Sequence, residues 1–306
     1  MAKLASGNAL GFIGLGRMGS RIVERLLEKK FKVVAYNRSP EPLKEVEKKG
    51  AVAAASYADI AAKLPLPRTI WMMVPAGKPV DEVIEALLPS LREGDMLIDG
   101  GNSNYKDSMR RAKRLESSGI RYLDVGTSGG LEGARNGACL TIGGKKEDYE
   151  AAQHVFEAVA VKNGYAYCGK SGAGHFVKTV HNSIEYGMLE AYGEGFEMLE
   201  KSPDFKLDLA AIAKVWGNGS VVRSWLLELC QAALEKDAKM KDYSGEIGGG
   251  ETGTWAAEYA RARGVEIPVI EASLAVRGRK GDADRFAGKI VGAIRREFGG
   301  HEMKKK

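Results

Sequence analysis

The chain has 306 residues, room for two domains of ordinary size, and its 44% hydrophobic and 28% charged residues are the balance of a globular protein. No apolar run approaches the roughly 18 residues of a membrane span, the first ten residues carry no leader pattern, and Cys139, Cys168 and Cys230 are too scattered for a metal site or a disulfide framework, which points to a cytoplasmic protein. The formal charge of +6 is dispersed apart from the terminal Lys304-Lys305-Lys306, and so modest a basic excess fits an anionic substrate and cofactor without requiring nucleic acid.

In chain order, short apolar runs at 9–13, 32–36, 69–74, 96–98 and 121–125 read as strands. Amphipathic stretches at 17–29, 79–91 and 106–118 lie between them. Strand and helix in alternation predict an α/β domain with a doubly wound, mainly parallel sheet. The runs 138–142 and 165–168 add one or two further strands. Beyond Gly174 the pattern turns helical, over 175–201, 207–216, 220–236, 254–263, 268–279 and 282–298. The change falls at Ser171-Gly172-Ala173-Gly174. It predicts a dinucleotide-binding Rossmann domain over 1–173 and an all-α domain with a C-terminal tail over 174–306.

Gly14-Leu15-Gly16-Arg17-Met18-Gly19 follows the first strand and opens the first helix. Gly14 makes the tight turn, Gly16 lets the backbone approach a pyrophosphate, and Gly19 lets helix and strand pack closely; Arg17 and Met18 start the helix whose N-terminus faces the anion. The second strand ends in Asn37-Arg38-Ser39 rather than in the carboxylate that takes the ribose of NAD. A guanidinium there suits a 2′-phosphate, so NADP is the expected cofactor, with NAD possible if Arg38 only stacks on the adenine. Val74, closing the 69–74 strand, and Asn102 complete the expected cofactor contacts.

The most informative segment runs from Gly172 to Gly187. On a helix Lys178, His181, Asn182, Glu185 and Tyr186 fall on one face. Val177, Val180, Ile184 and Met188 form a separate stripe, expected to pack into the core. The polar face offers a base of tunable pKa, an acid and hydrogen-bonding groups between them; the plainer alternative is a solvated face with a local Lys–Glu pair. Asp99-Gly100-Gly101-Asn102-Ser103 and Gly126-Thr127-Ser128-Gly129-Gly130 end two strands, where ligands of open α/β sheets bind.

These motifs together, Gly14–Gly19, Asp99–Ser103, Thr127–Gly130 and the Gly172–Gly187 segment, resemble the decarboxylating 6-phosphogluconate dehydrogenases, in their shorter size class, over nearly the whole chain. The related β-hydroxyacid dehydrogenases share the glycine turn, the serine-glycine-glycine loop and the lysine, but normally carry asparagine where His181 stands. The resemblance implies oxidative decarboxylation of 6-phosphogluconate to ribulose 5-phosphate and CO2 with reduction of NADP, in the pentose phosphate pathway and without a metal. It implies Lys178 as the base and Glu185 as the acid. Asn102, Ser128, Gly129, Gly130, His181 and Asn182 would hold the sugar acid, and Tyr186, Thr252 and Arg277 its phosphate.

The Arg295-Arg296-Glu297-Phe298-Gly299-Gly300-His301 tail resembles the family's Arg-x-x-Phe-Gly-x-His. It implies a homodimer or homotetramer in which Arg295 and His301 complete a neighbour's site. One departure stands out: Gly250-Glu251-Thr252-Gly253-Thr254-Trp255 lacks both lysines of the family's Lys-Gly-Thr-Gly-Lys-Trp loop. A β-hydroxyacid dehydrogenase acting on an unphosphorylated acid, and a non-catalytic NADP-sensing protein, remain the alternatives.

Overall fold

The computed structural model describes residues 8–305; the start of the leader reading, at residues 1–7, and the last lysine of the basic tail lie outside them. The chain divides into two compact units that meet within one helix, after Lys178.

In the first unit, strands β1 (Ala9–Ile13), β2 (Lys32–Tyr36), β3 (Val52–Ala53), β4 (Thr69–Met72), β5 (Met96–Asp99), β6 (Arg121–Ser128), β7 (Ala138–Gly143) and β8 (Ala160–Gly169) form one sheet in the order β3-β2-β1-β4-β5-β6-β7-β8. The connecting helices are α1 (Arg17–Glu28), α2 (Pro40–Lys48), α3 (Tyr57–Lys63), α4 (Lys78–Leu87), α5 (Tyr105–Glu116), α6 (Gly130–Asn136) and α7 (Lys146–Val159). Every pairing is parallel except β6 with β7.

Alternation along the strands feeds two cores. Leu10, Phe12, Val33, Ala35, Trp71 and Ile98 meet α1 and α7 through Ile22, Leu26, Val155 and Phe156 on one face. Ile13, Val34, Ile70, Met72 and Leu97 meet α3, α4 and α5 through Ile60, Val83, Ile84 and Leu115 on the other. Helices on both faces make the sheet doubly wound, as the alternation predicts. Strand order reverses at β1, between β2 and β4, and that is the crevice where such sheets bind ligands.

The long helix α8 (Ala173–Glu200) leads into the second unit, with α9 (Leu209–Gly217), α10 (Trp225–Lys236), α11 (Glu251–Arg263), α12 (Pro268–Arg277) and α13 (Phe286–Gly299). Its core joins Leu189 and Phe196 of α8 to Ala213 of α9, Leu227, Cys230 and Leu234 of α10, and Ile290, Val291 and Ile294 of α13. Among the described residues no helix is long and apolar enough to cross a membrane.

Several boundaries move for local reasons. The helix expected from 220 starts at Trp225, where the Ser224 hydroxyl accepts from the Leu227 N–H at 3.1 Å and caps the first turn. The helix expected from 282 starts at Phe286, whose N–H donates to the Glu197 carboxylate of α8 at 3.3 Å, a cap supplied by tertiary structure.

Candidate active site

In the first unit the glycine turn has the geometry its spacing predicts. Gly14 has φ +95°, and its N–H donates to Tyr36 O at 3.1 Å; a Cβ there would stand 2.3 Å from Met73 O. A Cβ on Gly19 would stand 2.1 Å from Gly14 O, so this glycine lets α1 close onto the turn. Gly16 is the N-cap of α1 and has open space where a side chain would be. A dinucleotide's pyrophosphate fits there, at the N-terminus of the first turn carrying Arg17 and Met18.

The end of β2 is tied to this turn: Leu15 N–H donates to Asn37 Oδ1 at 2.9 Å, and Asn37 Nδ2 donates to Ser39 O at 2.9 Å. The Asn37 amide thus ties the glycine turn to the end of β2. Arg38 is exposed beside it. At the end of β4, Val74 O lies 3.0 Å from where a Cβ of Gly101 would stand, which brings the Val74 and Asn102 loops together.

A buried polar network fixes the Asn102 loop. The Asp99 carboxylate accepts from Gly101 N at 3.2 Å, Ser103 Oγ at 2.8 Å, Tyr122 OH at 3.1 Å and Arg111 Nη1 at 3.4 Å. Burial, with the charges of Asp99 and Asp124, pushes the Tyr122 phenol well up, so it stays a donor. Arg111 is also held by Asp81, whose carboxyl burial would raise but the Arg111 and Arg110 hydrogen bonds bring down to about 2. Asn102 stands exposed above this base. On the neighbouring strand Thr127 donates to Gly100 O at 3.1 Å, and Ser128 leads into Gly129 and Gly130, both with positive φ, at the start of α6.

The same unit seats the beginning of α8. The Asp124 carboxylate accepts from Gly172 N at 2.7 Å and His175 N at 3.0 Å, capping the helix from β6. His175 Nε2 donates to Gly101 O at 3.0 Å, which leaves Nδ1 to accept from Ser108 Oγ at 2.7 Å. One turn on, Lys178 is buried; a Cβ on Gly126 would stand 2.4 Å from the Lys178 Cβ. Glycine at 126 therefore sets how near the lysine comes to β6.

In the second unit α8 continues with His181, exposed and bonded to Asn182 Oδ1 at 3.1 Å, and with the half-buried Glu185 and Tyr186. The Arg277 guanidinium lies over the Tyr186 ring, 3.7 Å from its centroid. Gly253 makes room for that ring: a Cβ would stand 2.9 Å from Tyr186 Cε2. Arg295 Nη1 donates to Gly248 O at 2.9 Å, and burial followed by the nearby Arg277 charge lowers the Arg295 pKa. Thr252 is buried in the first turn of α11 and Glu251 is exposed there, so its carboxylate turns outward. His301 is exposed, edge-on to Phe298.

Residues 9–169 match the model of the NAD binding domain of 6-phosphogluconate dehydrogenase, and residues 174–285 match the model of its C-terminal domain. The chain belongs to the 6-phosphogluconate dehydrogenase family. It is 45% identical to the protein YqeC of Bacillus subtilis over 97% of this chain and 99% of that one. It is 44% identical, with the same coverage, to a protein of Haloferax volcanii named as an NAD(+)-dependent, decarboxylating 6-phosphogluconate dehydrogenase. Among solved structures, 6-phosphogluconate dehydrogenase of Plasmodium falciparum superposes with a TM-score of 0.80 at 29% identity, covering 88% of this chain but 61% of that longer one.

One expectation needs correction. Val177, Val180, Ile184 and Met188 do not enter the core: they are 38%, 39%, 54% and 37% exposed. The buried side of α8 is built instead from Thr179, Ser183, Leu189, Glu190 and Phe196. Small residues with self-satisfied hydroxyls, such as Ser183 Oγ donating to Thr179 O at 2.9 Å, serve a closely packed helix as well as apolar ones do. Within its own chain Arg295 is tied to Gly248 O, and α13 packs in the helical core with α8 and α10.

Sequence reading missed Arg111, Tyr122, Asp124, His175 and Glu190. Arg111 had a signal: it shares the 108, 111, 115 stripe of α5 with buried Ser108 and Leu115. Glu190 had a fainter one, standing one turn from Tyr186 on the same helix.

Proposed function

We propose that this member of the family catalyses oxidative decarboxylation of 6-phosphogluconate to ribulose 5-phosphate and CO2 with reduction of NADP, as a cytoplasmic, metal-independent enzyme of the pentose phosphate pathway. The observation that carries the reading is Arg277: its guanidinium is buried beside a second arginine, with Nε and Nη2 unpartnered among the described residues. An unphosphorylated hydroxy acid has only the carboxylate of its reacting end to offer such a pair, whereas a phosphate at the far end of the sugar takes both.

In this reading Asn102, Ser128, Gly129, Gly130, His181 and Asn182 hold the sugar acid, and Tyr186, Thr252, Arg277 and Arg295 hold its phosphate. Lys178 accepts the proton of the C3 hydroxyl. The bound nicotinamide supplies the acceptor for the C3 hydride. Lys178, now protonated, hydrogen-bonds the C3 carbonyl while the carboxylate leaves as CO2, and Glu185 protonates C1 of the enediol. NADP is supported by Arg38 and by the absence of a carboxylate at the end of β2. NAD is the second reading, supported by the Haloferax volcanii relative named for it. The exposed apolar stripe of α8 supports a homodimer or homotetramer, with His301 at the tail the group that reaches a neighbour's site.

The test is cofactor reduction with 6-phosphogluconate, gluconate and 3-hydroxyisobutyrate, run with NADP and NAD in parallel while CO2 is measured. Stoichiometric CO2 with the phosphorylated acid alone is the expected outcome. Turnover of an unphosphorylated acid without CO2 would move the enzyme to the β-hydroxyacid dehydrogenases.

A further inference from the structure

Glu190 is 4% exposed, and neither carboxylate oxygen has a hydrogen-bond partner among the described residues. Arg277, 3% exposed, has two unpartnered nitrogens. The two groups share one locality, because Arg277 stacks on Tyr186 and Glu190 stands one turn further along the same helix. Yet they make no ion pair. A buried acceptor set and a buried donor set left unsatisfied side by side is a costly arrangement unless a ligand completes both.

The surrounding charges decide which form of the acid fits. Glu190 is faced by Arg277 of α12, by Arg285 ahead of α13, by Arg295 of α13 and by Glu194 of its own helix. Arg285 is engaged by Glu194 at 3.5 Å and Glu197 at 3.8 Å. Two arginines therefore remain for whatever binds. A phosphate dianion balances them; a dianion plus an ionised Glu190 leaves one negative charge in excess in a buried place. Burial pushes the Glu190 carboxyl upward against the pull of Arg277 and Arg285.

We propose that Glu190 is a specificity residue that serves the phosphate of the substrate as a neutral carboxylic acid, donating its O–H to a phosphate oxygen while Arg277 and Arg295 donate N–H. The inference rests on the 6-phosphogluconate reading above. It makes the phosphate pocket one that closes to a dianion as Glu190 loses its proton.

The test is the Kd of 6-phosphogluconate, without cofactor, from pH 7 to 9.5, above the phosphate's own pKa of about 6. For the native enzyme Kd rises with pH, approaching about tenfold per unit once Glu190 is ionised in the free protein. In Glu190→Gln, whose amide donates at every pH, the rise disappears. In Glu190→Ala binding is weak throughout. A native Kd independent of pH, or the same rise in Glu190→Gln, overturns the proposal. The native profile needs no variant, so misfolding of a variant does not shelter it. Absence of 6-phosphogluconate binding at every pH refutes the substrate reading, and this inference with it; pH-independent binding refutes this inference alone.

Discussion

Gly126→Ala tests how Lys178 is held. The added Cβ would stand 2.4 Å from the Lys178 Cβ, 2.5 Å from Thr141 Oγ1 and 3.0 Å from Gly174 O. Carbon atoms in contact prefer about 3.5–4.0 Å, so the lysine backbone or the strand has to yield by about 1 Å. The strand is poorly placed to move, because Gly126 is paired with Thr141, whose hydroxyl donates to Gly174 O at 2.9 Å. Most of the displacement then falls on α8. Overpacking of this kind costs about 1–3 kcal/mol of stability, and misplacing a reacting group by about 1 Å costs on the order of 100-fold in rate. Denaturant melts and initial rates with 6-phosphogluconate measure the two effects, and NADP affinity serves as the control because the glycine turn lies at β1. The expected pattern is a folded variant with native NADP affinity and kcat down by about two orders of magnitude. A folded variant with kcat within about threefold of native would mean that Lys178 is not held by this contact or is not the base.

Lys178→Met should bind 6-phosphogluconate and NADP yet lose at least ~100-fold in turnover, as measured in single-turnover hydride transfer. Arg38→Ala should weaken NADP by about ten- to a hundredfold and NAD much less; equal losses would make Arg38 a stacking residue only. Asp124→Asn keeps the shape of the cap on α8 but replaces two bonds to a carboxylate, at 2.7 and 3.0 Å, with at most one to a neutral acceptor, for an expected loss of about 2 kcal/mol in urea melts. Ile184→Lys, on the exposed stripe, should shift light-scattering mass toward a smaller species, and an unchanged mass would remove the stripe from the subunit interface. Glu190 also predicts a trend in stability. An acid whose folded pKa lies above its unfolded value holds more protons in the native state, so stability falls as pH rises from about 4.3 through the folded pKa. Glu190→Gln should lack that fall.

Local pattern and tertiary context divide what the sequence discloses. The short apolar runs at 9–13 and 32–36 locate β1 and β2 to the residue, because both faces of a doubly wound sheet are apolar and glycine or polar turns end each run. The lysine helix is legible because its polar residues recur at helical spacing. What period cannot tell is which of two stripes turns toward the chain's own core: Val177, Val180, Ile184 and Met188 turn outward, while Thr179, Ser183 and Leu189 are buried. The Asp99 network needs groups from β5, α5 and β6 together, and the Glu190–Arg277 locality needs α8 and α12. Such sites are assembled by topology, so no window of sequence contains them.

Helix α8 runs unbroken for 28 residues and carries both Lys178 and Glu185. Seven residues of α-helix fix a separation of about 10.5 Å along the axis and a nearly common azimuth. The spacing of the proposed base and the proposed acid is thus set by the helix that carries both. An insertion of a single residue between them would swing Glu185 by about 100° around the axis and take it off the face that Lys178 occupies. The same insertion after Glu200, in the segment that precedes α9, would rotate nothing of consequence. This stretch should therefore be as intolerant of changes in length as loops are tolerant of them, and a one-residue insertion at Ser183 should silence decarboxylation and also turn Leu189 and Phe196 out of the helical core.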